Sequence, residues 1–148
     1  MKHLGFYVFI CIIFVSILGG FSHTEKVFAS VTDKQIQTLV DGQGANFTFI
    51  EPIFGTQYIS AIRSVGERFK NDPDVNIYQV QKYALEGIPG AIIPSQKGFI
   101  PYLNQIINNP LNQDVNWGNG TFVITDKYKQ KAQIALTSAQ QLLAITIT

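Results

Sequence analysis

The sequence predicts a helix-dominated α+β domain with about four helices and two short strands that can pair in one small sheet. Three observations support this class. Apolar residues recur at three- and four-residue spacing over long stretches, and two short segments alternate in residues that favour strands. Gly, Asn and Pro separate these stretches. The length of 148 residues is typical of one domain.

The helices of the first half begin at residues that cap helices. A capping box that starts at Thr32 predicts a short helix over 33–41. An apolar stripe at helical spacing predicts a second helix over 57–70. Asp74 is a capping residue for a helix over 75–86, although the β-branched and aromatic residues there also favour a strand. The length of that segment favours the helix.

The two predicted strands are 46–50 and 121–124, each rich in Phe, Thr and Ile. Because they are similar in pattern, we expect them to pair with each other. Between them, Pro101 occupies the first turn of another predicted helix. After the second strand, a last helix is predicted over 127–145. Its first turns carry three Lys residues, which oppose the helix dipole and which we interpret as a solvated face.

The first 29 residues have the order of a signal peptide. A short positive start precedes 15 uncharged residues (4–18), and Val-Phe-Ala at 27–29 resembles a cleavage site. We expect cleavage near Ala29, which leaves 30–148 as a single small globular domain. The alternative is a retained N-terminal anchor, because the apolar run extended through Phe21 reaches about 18 residues, the lower limit for a spanning helix.

Removal of this segment excludes several kinds of chemistry. Both His residues and the one Cys lie within 1–29. Residues 30–148 then hold nine cations and nine anions, because Lys2, Lys26 and Glu25 are removed. This composition excludes disulfides, Cys-His and Ser-His-Asp catalysis, and metal sites built on His or Cys. We therefore expect no cofactor, no metal and no nucleic-acid partner. An exported domain without Cys is more typical of bacteria.

Carboxylates are the remaining groups for acid-base catalysis. Glu51 and Asp126 each follow a predicted strand, so pairing of the strands would bring them together as a glycan hydrolase requires. The simpler interpretation, which we favour, is that Asp126 caps a helix and Glu51 is a solvated turn residue.

The candidate binding residues are apolar. One group lies in the uncharged loop 88–93, one is the Trp of a Gly/Asn-rich loop, and one lies on the Ala/Leu face of the last helix. The alternative for each is packing within the domain's own core. The candidates are Ile88, Ile92, Ile93, Trp117, Leu136 and Leu142.

These observations predict an exported, non-enzymatic protein of a bacterial envelope, periplasmic or secreted. It would act in protein binding, self-association or assembly, for example within a secretion or surface machine. With zero net charge, affinity would come from apolar burial and depend little on salt. The alternatives are a carboxylate-dependent glycan hydrolase and an inner-membrane subunit that contacts the membrane through its retained N-terminal helix.

Overall fold

The computed structural model describes residues 30–116 and 121–147, and the side chains of 114–122 and 147 are outside this description. Helix α1 covers Asp33–Leu39, a π-helical turn covers Val40–Gly44, and α2 covers Ala45–Ile50. The longer helices follow as α3 (Pro52–Phe69), α4 (Ile77–Glu86), α5 (Phe99–Asn108) and α6 (Asp126–Ile147). A short 3₁₀ helix (Pro94–Gln96) precedes α5, and a hairpin of β1 (Asp114–Asn116) and β2 (Thr121–Val123) precedes α6.

The predicted α+β class is wrong, because the fold is helical and the two predicted strands do not form a sheet together. Residues 46–50 lie in α2. Strand β2 pairs antiparallel with β1 in a hairpin whose strands have three residues each. Packing explains the helix. Phe47 is 3% exposed and Phe49 is 83% exposed, whereas a strand would place both side chains on one face. The Phe47 ring lies 5.0 Å from the Tyr58 ring and 4.8 Å from the Phe99 ring.

The helix positions that the sequence predicts are confirmed, with shifts at their ends. The capping box at Thr32 is present. Asn76, rather than Asp74, caps α4 through a second capping box with Gln79. Helix α3 begins five residues earlier than predicted, because Pro52 is accepted in the first turn, where no backbone N–H is needed.

Helices α1 and α2, with the π turn between them, form one arm, and α3 forms the other. The chain folds back at Glu51, so the two arms pack against each other at very short distance. A Cβ at Gly55 would lie 2.6 Å from the Thr48 Cα, a separation that real structures do not show. A Cβ at Gly66 would lie 2.6 Å from the Ile36 Cδ1, and one at Gly44 would meet the Ile59 side chain. Glycine is therefore required at Gly55, where the clash is with a backbone atom, whereas at Gly66 and Gly44 the added carbon would meet isoleucine side chains.

The Lys residues at the start of α6 contact other helices. Lys129 Nζ donates to the Ile107 carbonyl at 2.8 Å and also to the Asn109 carbonyl, at the C-terminal end of α5. Lys131 Nζ lies 2.8 Å from Glu51 Oε2. A cation at a helix C-terminus stabilises the unpaired carbonyls and the negative end of the helix dipole. Lys129 and Lys131 thus hold α6 against its neighbours, which corrects the interpretation of a solvated face.

We expect Lys129→Met to lower the free energy of unfolding by about 1 kcal/mol, because two carbonyls at the end of α5 lose a charged donor. Lys127 is exposed, two residues earlier in the same turn. Lys127→Met is therefore the matched control and should change stability by less than about 0.5 kcal/mol. Urea unfolding of the two variants checks this. Equal stability losses would show that Lys129 acts only as surface charge.

Within the described residues, no helix is both long enough and apolar enough to cross a bilayer.

Candidate functional site

The loop of residues 87–98, between α4 and α5, is closed at its base by two glycines. Gly87 has φ +99° and Gly98 has φ +100°, a region that residues with a Cβ rarely adopt. The two backbones cross so closely that a Cβ at Gly98 would lie 2.5 Å from the Gly87 nitrogen. Just inside the base, the Ile88 N–H donates to the Gln96 carbonyl at 2.8 Å. Close backbone packing and a hydrogen bond therefore hold the two ends of the loop together at its base.

Side chains anchor both ends of this 87–98 loop to the helical core. Ile88 is 8% exposed and belongs to the hydrophobic core. Gln96 is buried against α3, where its Oε1 accepts from Arg68 Nη1 at 3.1 Å and its Nε2 donates to Ser64 Oγ at 3.2 Å. These contacts attach one end of the loop to α3 and the other to the hydrophobic core.

The tip of the 87–98 loop is apolar and lies in solvent. Pro89 and Gly90, with φ +75° at Gly90, form a type II turn that the Ala91 N–H closes onto the Ile88 carbonyl at 3.0 Å. Beyond this turn, Ile92 is 87% exposed and Ile93 is 53% exposed. No charged residue occurs from 87 to 96. The structure thus presents two branched apolar side chains on a loop whose two ends are anchored to the fold.

The other candidate binding residues lie elsewhere. Leu136 is 7% exposed and Leu142 is 4% exposed, so both pack in the core of their own domain. Ile88 is likewise an anchor and not a surface contact. Trp117 lies outside the described residues. Of the apolar candidates in the described part of the chain, Ile92 and Ile93 are the two that face solvent.

The two candidate carboxylates have different surroundings. The Glu51 side chain is 16% exposed, and its carboxylate is held by Lys131. Asp126 is exposed, at the first residue of α6. Among the described residues, no hydrogen bond or ion pair joins Glu51 to Asp126, and no group of three metal-ligating side chains occurs. Because 46–50 is helical, the strand pairing that would bring the two carboxylates together is absent.

An apolar groove that sequence reasoning missed lies between the two arms. It is an open, shallow surface groove lined by the π turn, α2 and α3, with a volume of about 720 Å³. Charged residues stand at its rim, Asp41 on the π turn and Lys131 on α6. Its apolar lining includes Val40, Ala45, Ile50, Pro52 and Ile59. Reading 45–50 at helical rather than alternating spacing would have shown this apolar face.

A buried chain of hydrogen bonds links four elements of the fold. Tyr58 Oη donates to Gln43 Oε1 at 2.6 Å, and Gln43 Nε2 donates to Gln81 Oε1 at 2.6 Å. Gln81 Nε2 donates in turn to Thr146 Oγ1 near the end of α6. Burial raises the pKa of the Tyr58 hydroxyl well above its ordinary value, so this group stays a neutral donor. The sequence carries no local signal for this network, since its partners are distant along the chain.

No protein-family model, curated protein or solved structure matches this chain.

Proposed function

We propose that the protein is an exported, non-enzymatic component of a bacterial envelope that binds another protein chain through the tip of the 87–98 loop. The observation that carries this proposal is the exposure of Ile92 and Ile93, at 87% and 53%, on a loop that is anchored at both ends. Because the loop backbone is anchored at both ends, binding through its tip has to order less of the chain than binding through a free loop, so less of the burial energy of Ile92 and Ile93 is offset by lost conformational entropy.

Export is supported by the order of charged, apolar and small residues in 1–29. Mass spectrometry of the protein recovered from the envelope and from the medium tests it. A product that begins near Ser30 supports export with cleavage. A product that retains residues 1–29 favours the membrane-anchored alternative, and recovery from the cytoplasm alone would exclude both.

The binding surface is tested by replacing Ile92 and Ile93 together with Ser. Because both side chains are exposed, the double variant should keep its unfolding free energy within about 0.5 kcal/mol. Ile134→Ser is the matched control, since Ile134 is an exposed isoleucine on α6 at 42%. Deleting all of 88–93 is unsuitable, because it would remove the core anchor Ile88 together with the tip.

The measurement is cross-linking in the native envelope, followed by quantitative recovery of the attached chains. We expect a defined product that the control variant retains and that the double variant loses about tenfold or more. Equal recovery from the double variant, the control and the unchanged protein would refute binding through the tip.

The glycan-hydrolase alternative stays a prediction, and no arrangement in the described residues favours it. An activity screen on cell-wall glycans that compares the protein with its Glu51→Gln variant tests it directly. Loss of a measurable activity in the variant would support the hydrolase.

A further inference from the structure

We propose that the partner of the 87–98 loop is an endopeptidase, whose substrate cleft takes the tip with the Ile92 side chain in the pocket that selects the residue before the cleaved bond. This inference rests on the proposed function, because it names a class of partner for the same surface. Endopeptidases bind a polypeptide as an extended chain, through its backbone and through one side chain that enters a specificity pocket. The tip offers both features.

The backbone of the tip is free to pair with an extended partner. Between the turn at Gly90 and the 3₁₀ helix that begins at Pro94, residues 91–93 belong to no helix or strand. Ile93 has φ −71° and ψ 124°, which is an extended conformation. In the part of the chain that the structure describes, the N–H groups of Ile92 and Ile93 donate to no other backbone group. A cleft that binds extended chains supplies acceptors for such donors.

Ile92 is the side chain of the tip that is best placed to fill a pocket. It is 87% exposed, more than any other large apolar side chain among the described residues. No charged residue occurs from 87 to 96, so an enzyme that requires Lys or Arg finds no suitable side chain at the tip. The specificity pocket of the partner is therefore apolar and accepts a branched aliphatic side chain.

The anchoring of the loop favours an inhibitor over an ordinary substrate. Hydrolysis of the bond between Ile92 and Ile93 consumes one water and leaves a carboxylate on Ile92 and an amine on Ile93. The buried residues Ile88 and Gln96, which lie on opposite sides of that bond, are joined by a backbone hydrogen bond of 2.8 Å. Both new ends thus remain attached to one fold, and the enzyme can rejoin them with release of the water, because the step is intramolecular. Net cleavage should be slow.

Inhibition of two endopeptidases with apolar specificity, pancreatic elastase and subtilisin, tests this proposal. The purified protein, as the cell processes it, is added to each enzyme with a small chromogenic peptide as the substrate. We expect competitive inhibition with an inhibition constant of about 10 μM or lower. Mass spectrometry should find the first cut between residues 92 and 93, with most of the chain intact. Absence of inhibition of both enzymes at about 1 mM, or rapid and complete digestion, would overturn the proposal.

Ile92→Lys gives the sharpest result, because trypsin takes Lys or Arg in its pocket. This variant should inhibit elastase at least about tenfold more weakly than the unchanged protein and trypsin at least about tenfold more strongly. Ile134→Lys is the matched control, since Ile134 is an exposed isoleucine on α6, and it should behave like the unchanged protein with both enzymes. Thermal unfolding verifies that both variants remain folded. A folded Ile92→Lys protein that gains no inhibition of trypsin would overturn the proposal.

The proposed function has a separate readout. If these enzymes are not inhibited but the cross-linked product in the native envelope still depends on Ile92 and Ile93, the tip remains a binding surface and the endopeptidase is excluded as its partner. If the cross-linked product is also independent of the two residues, the proposed function fails as well.

Discussion

Gly55→Ala should lower the free energy of unfolding by about 3 kcal/mol, at the upper end of the usual cost of overpacking. The added methyl group would lie 2.6 Å from the Thr48 Cα and closer still to the Thr48 hydroxyl oxygen. A change of rotamer cannot relieve a clash with a backbone atom, so α2 must move away from α3. Because the same arm forms one wall of the apolar groove, the groove should widen as well.

The control for this prediction is Gly66→Ala on the same helix. A Cβ there would lie 2.6 Å from Ile36 Cδ1 and 2.8 Å from Ile36 Cγ1, which are side-chain atoms that a change of rotamer can move, unlike the backbone atom at Gly55. Alanine also favours a helix over glycine by about 1 kcal/mol. The net change at Gly66 should therefore be small, within about 1 kcal/mol. Urea unfolding of both variants decides the matter. A Gly55→Ala protein as stable as the unchanged one would mean that the two arms are not in close contact.

Gln43→Leu should also cost about 3 kcal/mol, because it leaves two buried polar groups without a partner. Gln43 is 2% exposed. Its side-chain amide accepts a hydrogen bond from the Tyr58 hydroxyl and donates one to the side-chain oxygen of Gln81. Leucine has a similar size, so the cavity term is small and the loss reports the hydrogen bonds. Denaturant unfolding measures the effect.

Adding Tyr58→Phe to Gln43→Leu separates this cause from a packing defect. The second substitution removes the hydroxyl that the first leaves unpaired, so the double variant should be more stable than the sum of the two single losses predicts. Strict additivity would contradict the assignment of the loss to the network.

Most of the described helices begin within about two residues of their predicted starts, because the signals for those starts are local, whereas α3 begins five residues early and α2 was predicted as a strand. The capping box at Thr32 acts through Gln35, three residues away, and both of its hydrogen bonds are present. The turn at Pro89 and Gly90 depends likewise on the backbone preferences of two adjacent residues. The uncharged 88–93 loop stood out for its composition alone, but composition does not separate the buried Ile88 from the exposed Ile92 and Ile93.

The failures involve contacts between residues that are distant in the sequence. Residues 46–50 favour a strand by composition, yet the ring contacts of Phe47 and the fit of Thr48 against Gly55 stabilise a helix. Strand preference is weak compared with such packing. The same misassignment suggested the approach of Glu51 to Asp126 and concealed the apolar groove. The partner of Glu51 is Lys131, which lies 80 residues away.

Composition and short-range pattern alone therefore determine where most helices begin, which chemistries the residues after 29 exclude, and which loop is unusually apolar. These depend on residues that are present or absent, or on neighbours within one turn of a helix. The conformation of 46–50, the partners of Lys129 and Lys131, and the face on which Ile92 and Ile93 emerge were decided by the packing of the helices. Each of those depends on the distance between surfaces from separate elements, which appears only when the chain is folded.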